Sequence, residues 1–291
     1  MKSSAFEYAA PRSVAEAVAL LRTQDGEAKI LAGGQSLMPL LAMRLARPSL
    51  LVDLGRIEGL DYVREESGVI AIGAMTTKST IERSDLVRTR QALFHEATRL
   101  IGHPQIRNRG TVGGSMAQAD PAAEYPAAAL ALDAKMRVVG GGGERSIDAA
   151  DFFVSTLTTA LAPDEILIEV RVPMLAPGTG WSMLEVSRRH GDFAMAGTAV
   201  TVALDGGRVR SARIVLFGVG PVPVRARAAE QSVAGQKPAA AAWASAATQA
   251  RDVVEEPLSD HHASAAYRRH LAGVLVERAL AEAVTRAGGI A

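Results

Sequence analysis

The sequence predicts an α+β fold built from three units, and three observations support this. Apolar patterns typical of helices and of buried strands alternate over residues 13–54, which indicates an αβαβ unit. Residues 57–172 mix a hairpin, long helical segments and further strands. After a segment rich in proline and glycine, residues 173–180, strand-like runs precede helix-like runs, which indicates a separate small domain.

The first unit, residues 1–56, is a predicted subdomain with clear local signals. Ser13 and Glu16 form a candidate capping box in front of the amphipathic stretch VAEAVALLR. Its other predicted elements are a short strand at Lys29–Leu31 that ends in Gly33-Gly34, a helix in LMPLLAMRLA and a buried strand at Leu50–Leu54.

The second unit is predicted to span residues 57–175. DYVREESGVIAIG predicts two strands with a turn near Ser67-Gly68, and IERSDLVRTRQALFHEATRLI predicts one long helix. Residues 102–121 lack a regular pattern. The remaining elements are a buried helix in AEYPAAALALDA, strands at Met136–Val139 and Ile166–Val172, and a hairpin tip at Gly140–Gly143.

The third unit, residues 178–288, is predicted to be a small α+β domain in which an antiparallel sheet carries helices. Its predicted strands are Met195–Leu204 and Val209–Phe217, and its predicted helices are Arg225–Gly235, Ala239–Arg251 and Ala263–Arg286.

Composition excludes several classes of function. The 291 residues are 48% apolar and 22% charged, so the chain can bury real cores and is neither disordered nor collagen-like. The absence of cysteine excludes disulfides, thiolate zinc sites, cysteine nucleophiles and iron–sulfur clusters held by this chain's own thiolates. With only six histidines, no metal site is predicted, and a net charge of +1 gives no basic footprint for nucleic acid.

The expected location is the cytoplasm. The start MKSSAFEYAAPRS lacks the apolar segment and cleavage site of a signal peptide. No run of about 18 apolar residues is present, so no membrane span is expected.

Two clusters rich in glycine are candidate ligand loops. The first is Leu31-Ala32-Gly33-Gly34-Gln35-Ser36-Leu37, and the second is Asn108-Arg109-Gly110-Thr111-Val112-Gly113-Gly114-Ser115. Glycine permits positive φ and close approach of a ligand, and main-chain N–H groups in such turns bind anions. An ordinary strand-to-helix turn and a flexible loop are the respective alternatives. Together, the two clusters suit an extended anionic ligand such as a dinucleotide, although neither matches G-x-G-x-x-G or a phosphate-binding P-loop.

Other polar residues have stronger structural interpretations. Asp120 before Pro121 is a candidate helix N-cap with proline at the first helical position. Glu124 then lies in the first turn, where it is favoured by the helix dipole or accepts hydrogen bonds from a ribose or ribityl chain. His103 and His190 are candidate general bases, but no serine or cysteine nucleophile accompanies them, so a structural role is favoured.

Three stretches carry a family resemblance: AGGQSLMPLLAMRLARPSLLVDLGRI, IGHPQIRNRGTVGGSMAQADPAAEYPAAALALDA and SRRHGDFAMAG. In order and spacing, over about residues 5–285, they resemble the FAD-binding medium subunits of molybdenum hydroxylases, the carbon monoxide dehydrogenase and xanthine dehydrogenase family. The resemblance implies a flavin-binding domain of the vanillyl-alcohol-oxidase (PCMH) type. This domain has two α+β subdomains with FAD between them, and a C-terminal α+β domain follows.

The resemblance also implies a set of FAD contacts. The loop at Ala32–Ser36 would hold the pyrophosphate, the loop at Thr111–Ser115 would form a second contact, and Phe193 would lie near the isoalloxazine ring. Some relatives have lysine where this chain has Leu184, so Leu184 is not counted among the contacts that the resemblance implies. The complete set of candidate cofactor-binding residues is Leu31, Ala32, Gly33, Gly34, Gln35, Ser36, Leu37, Ile101, Gly110, Thr111, Val112, Gly113, Gly114, Ser115, Glu124, Leu167 and Phe193.

The implied function is electron transfer. A large molybdopterin-binding subunit would hydroxylate the substrate, and a small [2Fe–2S] subunit would pass the electrons to the FAD of this chain. An external acceptor (quinone, cytochrome, NAD or oxygen) would take them, in an assembly expected to be a dimer of heterotrimers. No residue of this chain would be catalytic towards the substrate, which stays open. A self-sufficient FAD-dependent oxidoreductase and a non-catalytic binding module are the alternatives.

Two expectations concern variants. Replacing Gly33 or Gly113 by valine is expected to remove FAD without loss of the fold, because valine would block positive φ and backbone approach. Replacing His103 by alanine is expected to alter electron transfer only mildly.

Overall fold

The computed structural model describes residues 2–24 and 26–288, and its first unit is a small parallel sheet. β3 lies between β1 and β2 and runs parallel to both. The αβαβ prediction is confirmed, with β1 as an added strand. The elements are β1 (Glu7–Ala9), α1 (Val14–Arg22), β2 (Ala28–Leu31), α2 (Leu37–Ala42) and β3 (Leu50–Asp53).

The cap of α1 closely follows its prediction. The Ser13 Oγ accepts a hydrogen bond from the Glu16 N–H at 3.2 Å. The Glu16 carboxylate accepts one from the Arg12 N–H at 2.9 Å, one residue before the position that a capping box would use.

The second unit is an antiparallel sheet of five strands with helices packed against it. The strand order is β4-β5-β10-β6-β7, so the last strand of the unit inserts at the centre of the sheet. The elements are β4 (Val63–Glu66), β5 (Val69–Gly73), α3 (Lys78–Arg83), α4 (Asp85–Arg90), α5 (Ala92–Leu100), α6 (Pro104–Arg109), α7 (Val112–Gln118), α8 (Glu124–Ala131), β6 (Lys135–Gly140), β7 (Gly143–Asp148), α9 (Ala149–Phe152), β8 (Phe153–Ser155), β9 (Thr158–Thr159) and β10 (Ile166–Pro173).

Both predicted hairpin turns of this sheet are confirmed. Ser67 and Gly68 join β4 to β5 with φ of 46° and 84°, the left-handed conformation that tight hairpins favour. The glycine run joins β6 to β7, with Gly140 paired to Gly143.

Two predictions in this unit are wrong. The long helix is broken into α3, α4 and α5, because the Ser84 Oγ accepts from the Val87 N–H and starts a new helix. The segment predicted to lack regular structure contains α6 and α7, and Thr111 caps α7 through the Gly114 N–H at 3.1 Å. Helices this short depend on tertiary packing rather than on residue propensity, so their pattern is weak in the sequence.

The helix predicted to have Asp120 as its N-cap and Pro121 as its first residue begins three residues later. α8 begins at Glu124, and all eight of its residues are buried. The Asp120 Oδ1 instead accepts from the Ala122 N–H at 2.9 Å, which makes a local turn before the helix.

The third unit is an antiparallel sheet in the order β11-β12-β13-β14, with three helices after it. The prediction of strands followed by helices is confirmed, and β11 and the short β14 are additional strands. α8 packs between this sheet and the helices of the second unit, because Tyr125, Val215 and Phe217 share one buried core. The elements are β11 (Thr179–Val186), β12 (Ala196–Asp205), β13 (Arg208–Phe217), β14 (Val224–Arg225), α10 (Arg227–Val233), α11 (Ala240–Asp252) and α12 (Ala265–Arg286).

The helices of this structure were also compared with the length and hydropathy that a bilayer requires. Across residues 2–24 and 26–288, none of them is both long and apolar enough to cross a membrane.

Candidate functional site

The two glycine clusters meet at a pocket between the first and second units. Its volume is about 600 Å³, within the usual range of ligand pockets. A Cβ on Gly33 would lie 2.1 Å from the Arg109 carbonyl oxygen, so only glycine permits this contact between the clusters. The lining residues are Leu31, Ala32, Gly33, Gly34, Gln35, Met38, Pro39, Asp53, Gly55, Met75, Thr77, Asn108, Arg109 and Thr111.

The first glycine cluster presents a run of unpaired backbone donors. Within the described part of the chain, the N–H groups of residues 33–37 donate no intramolecular hydrogen bond. Gly34 adopts φ of 73°, and the Gln35 side chain donates to the Gly33 carbonyl at 3.1 Å. Consecutive free N–H groups in such a turn form an anion-binding concavity, so this loop can bind a phosphate or diphosphate.

The second glycine cluster supports the pocket more than it lines it. Its N–H groups are largely used internally: Val112 donates to Thr76 and Gly113 to Ala74, both at 2.9 Å. A Cβ on Gly113 would lie 2.5 Å from the Ala74 Cβ, so this glycine permits tight packing of α7. Only Thr111 of residues 110–115 lines the pocket, where it pairs with Thr77 in an isolated bridge.

Two side chains add polarity at the pocket wall. Arg109 is exposed and supplies a positive charge beside the free N–H groups, as an anion would require. Asp53, at the carboxyl end of β3, accepts from the Tyr8 hydroxyl at 2.6 Å and from the Gly55 N–H at 2.8 Å. These two hydrogen bonds fix the floor of the pocket.

A buried polar cluster adjoins this pocket and brings together Lys78 of α3, Glu124 of α8 and Glu185 of β11. Burial raises the pKa of Glu124 to about 7, although the nearby Lys78 ammonium opposes the change. Burial, and then the charge of Glu124, raise the pKa of Glu185 to about 8. Burial also lowers the pKa of Lys78 and raises that of Asp120.

This cluster predicts a pH-dependent stability. The pKa of Glu185 is about 8 in the folded chain against 4.5 for a solvent-exposed glutamate, so folding favours its protonated form. The resulting stabilisation is complete below pH 4.5 and is lost as the pH rises through 8. We expect Glu185→Gln, which mimics the protonated acid, to raise the free energy of unfolding at pH 8 by about 1–2 kcal/mol.

Urea unfolding at pH 5 and pH 8 measures this effect. Glu255→Gln, at an exposed position, is the matched control and should change neither value. An equal effect of Glu185→Gln at the two pH values would show that Glu185 is not held protonated by the fold.

Comparison with known proteins identifies the family. Residues 4–175 match the family described as "FAD binding domain in molybdopterin dehydrogenase", and residues 181–283 match the CO dehydrogenase flavoprotein C-terminal domain. The chain is 41% identical to the carbon monoxide dehydrogenase medium chain of Hydrogenophaga pseudoflava, over 97% of this chain and 98% of that protein. This chain belongs to the family of FAD-binding subunits of molybdenum hydroxylases.

Two further comparisons agree with this family assignment. The chain is 43% identical to the 6-hydroxypseudooxynicotine dehydrogenase complex subunit alpha of Paenarthrobacter nicotinovorans, over 99% of this chain and 97% of that protein. The solved structure of Hydrogenophaga pseudoflava carbon monoxide dehydrogenase that lacks the Mo-pyranopterin moiety matches with a TM-score of 0.96 at 42% identity. That match covers 98% of this chain and 99% of the other. The cofactor of this oxidoreductase subunit is therefore FAD.

The pocket fits this cofactor. The diphosphate of FAD requires several hydrogen-bond donors and a positive charge, and residues 33–37 together with Arg109 supply both. The buried cluster of Lys78, Glu124 and Glu185 also fits a ligand with polar groups, since the Glu185 Oε2 is buried without a hydrogen-bond partner.

The structure brings some of the predicted FAD contacts together and separates others. Leu31–Gln35 and Thr111 line the pocket, while Ser36 and Leu37 begin α2 beside it. Gly110 and Val112–Ser115 belong to the second cluster but do not line the pocket. Ile101 and Leu167 are buried in the core of the second unit, at 6% and 4% exposure. Glu124 lies in the polar cluster, and Phe193 is 65% exposed in the loop between β11 and β12. Which of these residues touch FAD stays a prediction.

The predicted backbone role of two glycines is corrected. Neither Gly33 nor Gly113 has a positive φ, whereas Gly34 does. Because a Cβ at Gly113 would collide with Ala74, valine there is expected to disturb the packing of α7 as well as the pocket. A Cβ on Gly33 would likewise lie 2.1 Å from the Arg109 carbonyl oxygen, so valine at either position is now expected to affect the fold as well as FAD binding.

The structure places both candidate histidines, His103 and His190, at exposed positions. His103 precedes α6 and is exposed, and Gly191 lies against it, since a Cβ there would be 2.7 Å from the His103 Cε1. His190 is exposed in the loop between β11 and β12, next to Gly191. His103 therefore supports the loop that carries Phe193.

Sequence reasoning missed several residues of the site. Asp53 had a usable signal, since it ends a parallel strand, where ligands commonly bind. Arg109 and Asn108 stand inside the second glycine motif but were not among the assigned contacts. Lys78 and Glu185 had no sequence signal, because only the tertiary fold brings them to Glu124.

Proposed function

We propose that this chain is the medium subunit of a heterotrimer with a small [2Fe–2S] subunit and a large molybdopterin-binding subunit. Its FAD would receive electrons from the clusters and deliver them to an external acceptor. The observation that carries the proposal is the run of unpaired N–H groups at residues 33–37, which suits the FAD diphosphate. The lack of cysteine agrees with it, since this chain cannot hold the clusters through thiolates.

Each part of the chain has a limited task in this proposal. When bound, FAD supplies one- and two-electron redox chemistry. Residues 33–37 and Arg109 bind and orient the diphosphate, and the buried core around α8 excludes water from the polar cluster. No side chain of this subunit has to act as acid or base on the organic substrate, whose site would lie in the large subunit. A dimer of heterotrimers and a cytoplasmic location belong to the same proposal.

Purification of the tagged chain from its source organism tests the proposal. We expect an equimolar complex with two further chains, and iron, molybdenum and FAD in that complex. An isolated chain that carries FAD and turns over a small substrate by itself would support a self-sufficient oxidoreductase instead. A chain that binds FAD but neither assembles nor undergoes reduction would support a non-catalytic module.

A further inference from the structure

The cluster of Lys78, Glu124 and Glu185 is not explained by the fold alone. Lys78 is 8% exposed and Glu124 is 6% exposed. Within the described residues the Lys78 ammonium has no hydrogen-bond or ion-pair partner, and the Glu124 carboxylate accepts a hydrogen bond only from its own backbone N–H. The Glu185 Oε2 is likewise buried and unpartnered. Burying ionisable groups with few or no hydrogen bonds is unfavourable, so the Lys78 ammonium and the Glu185 Oε2, both beside Glu124, indicate a polar ligand that completes them.

The cluster is continuous with the diphosphate pocket. The Lys78 N–H donates to the Gly110 carbonyl at 2.9 Å, and Lys78 follows Thr77, which lines the pocket. A Cβ on Gly110 would lie 3.4 Å from the Lys78 Cδ, so the glycine leaves room for this side chain. The Lys78 Nζ then lies 5.7 Å from the centre of the Tyr125 ring, beside Glu124. One extended ligand can therefore contact both the diphosphate pocket and the polar cluster.

We propose that Lys78 is a cofactor-binding residue that, together with Glu124, holds the flavin half of FAD. The inference rests on the proposed function, because it takes the diphosphate to lie at residues 33–37. Lysine only donates hydrogen bonds and an ionised carboxylate only accepts them, so the pair suits the ribityl hydroxyls and the polar ring edge, which offer both kinds of group.

The enclosed position of Lys78 favours the flavin half over the adenosine half. A buried cation is most effective beside a group that gains negative charge, because low polarity strengthens the interaction. In the proposed function the isoalloxazine ring would gain electrons, whereas adenine would not. Glu185 contributes from β11, so the C-terminal unit closes this end of the site.

FAD titration of the purified full-length apoprotein tests the assignment. Lys78→Met should raise the Kd for FAD about tenfold or more, as expected for the loss of a charged hydrogen bond. The affinity for ADP, measured by competition, should stay unchanged. Lys135→Met removes an exposed lysine on β6 and is the matched control, which should change neither affinity.

A second readout separates cofactor binding from a structural role. Lys78→Met removes a desolvated charge, and Glu124, with its raised pKa, can take up a proton, so the thermal midpoint of the apoprotein should stay the same or rise. A merely structural lysine would lower that midpoint together with FAD affinity. Lys78→Gln keeps a donor without the charge and should give an intermediate Kd.

The outcomes distinguish this inference from the proposed function. If the wild-type chain takes up no FAD, the proposed function fails. If the wild type binds FAD and Lys78→Met binds it equally well, the role of Lys78 is wrong. If Lys78→Met weakens ADP in parallel, the charge serves the diphosphate, and the assignment to the flavin half is wrong.

Discussion

Gly33→Ala is expected to weaken FAD binding by at least about 100-fold, which corresponds to about 2.7 kcal/mol. The added methyl group would lie 2.1 Å from the Arg109 oxygen and 2.8 Å from the Gly110 Cα, both of which are backbone atoms. Neither can move without separating the two glycine clusters. The change therefore displaces the N–H groups of residues 33–37 from the position in which they bind the diphosphate.

The measurement is FAD content after purification, followed by titration of the apoprotein. Gly142→Ala is the matched control, since a Cβ there meets nothing within 4 Å and its φ is not positive. It should bind FAD as the wild type does. Normal FAD binding by Gly33→Ala would mean that the diphosphate lies elsewhere.

Arg268→Met is expected to lower the free energy of unfolding by about 3 kcal/mol. Arg268 is 3% exposed, and its Nη1 donates to the carbonyls of Met195 and Gly218 at 2.5 and 2.6 Å. Its Nη2 donates to Asp260 at 2.7 Å. Methionine would leave both carbonyls and part of that carboxylate without a partner.

The same arginine also connects the C-terminal unit to the site. The Gly218 N–H donates to the Pro121 carbonyl at 2.8 Å, next to the turn that precedes Glu124. Met195 ends the loop that carries Phe193. We therefore expect Arg268→Met to reduce FAD affinity in addition to stability.

Urea unfolding followed by circular dichroism measures the stability change. Arg269→Met is the matched control on the same helix, because Arg269 also donates to two backbone carbonyls, those of Val254 and Glu255, but is exposed. Its loss should cost less than about 1 kcal/mol, since water replaces the lost bonds. Equal costs for the two arginines would contradict the importance of burial at Arg268.

The fold was predictable where local patterns dominate. The β4–β5 and β6–β7 hairpins have glycine-containing turns, and the alanine-rich helices after β13 follow their apolar periodicity. Prediction failed where tertiary packing decides. α6 and α7 are short, α7 contains two glycines, and the interruption at Ser84 depends on a single cap.

The site was predictable in part for the same physical reasons. Glycines at 33 and 34 mark close approach and positive φ directly in the sequence, so the first cluster could be found. Lys78 and Glu185 are separated by more than a hundred positions and become neighbours of Glu124 only when three elements pack. Their burial, rather than their type, makes them candidates, and burial is a property of the fold.

Reduction of the external acceptor by a complex that lacks FAD tests the central claim most directly. In the purified complex that contains Gly33→Ala, added reductant should still bleach the [2Fe–2S] absorbance, but reduction of the acceptor should be lost. A complex that contains Gly142→Ala instead should reduce the acceptor as the wild type does. Undiminished acceptor reduction without bound FAD would show that electrons do not leave the enzyme through this subunit.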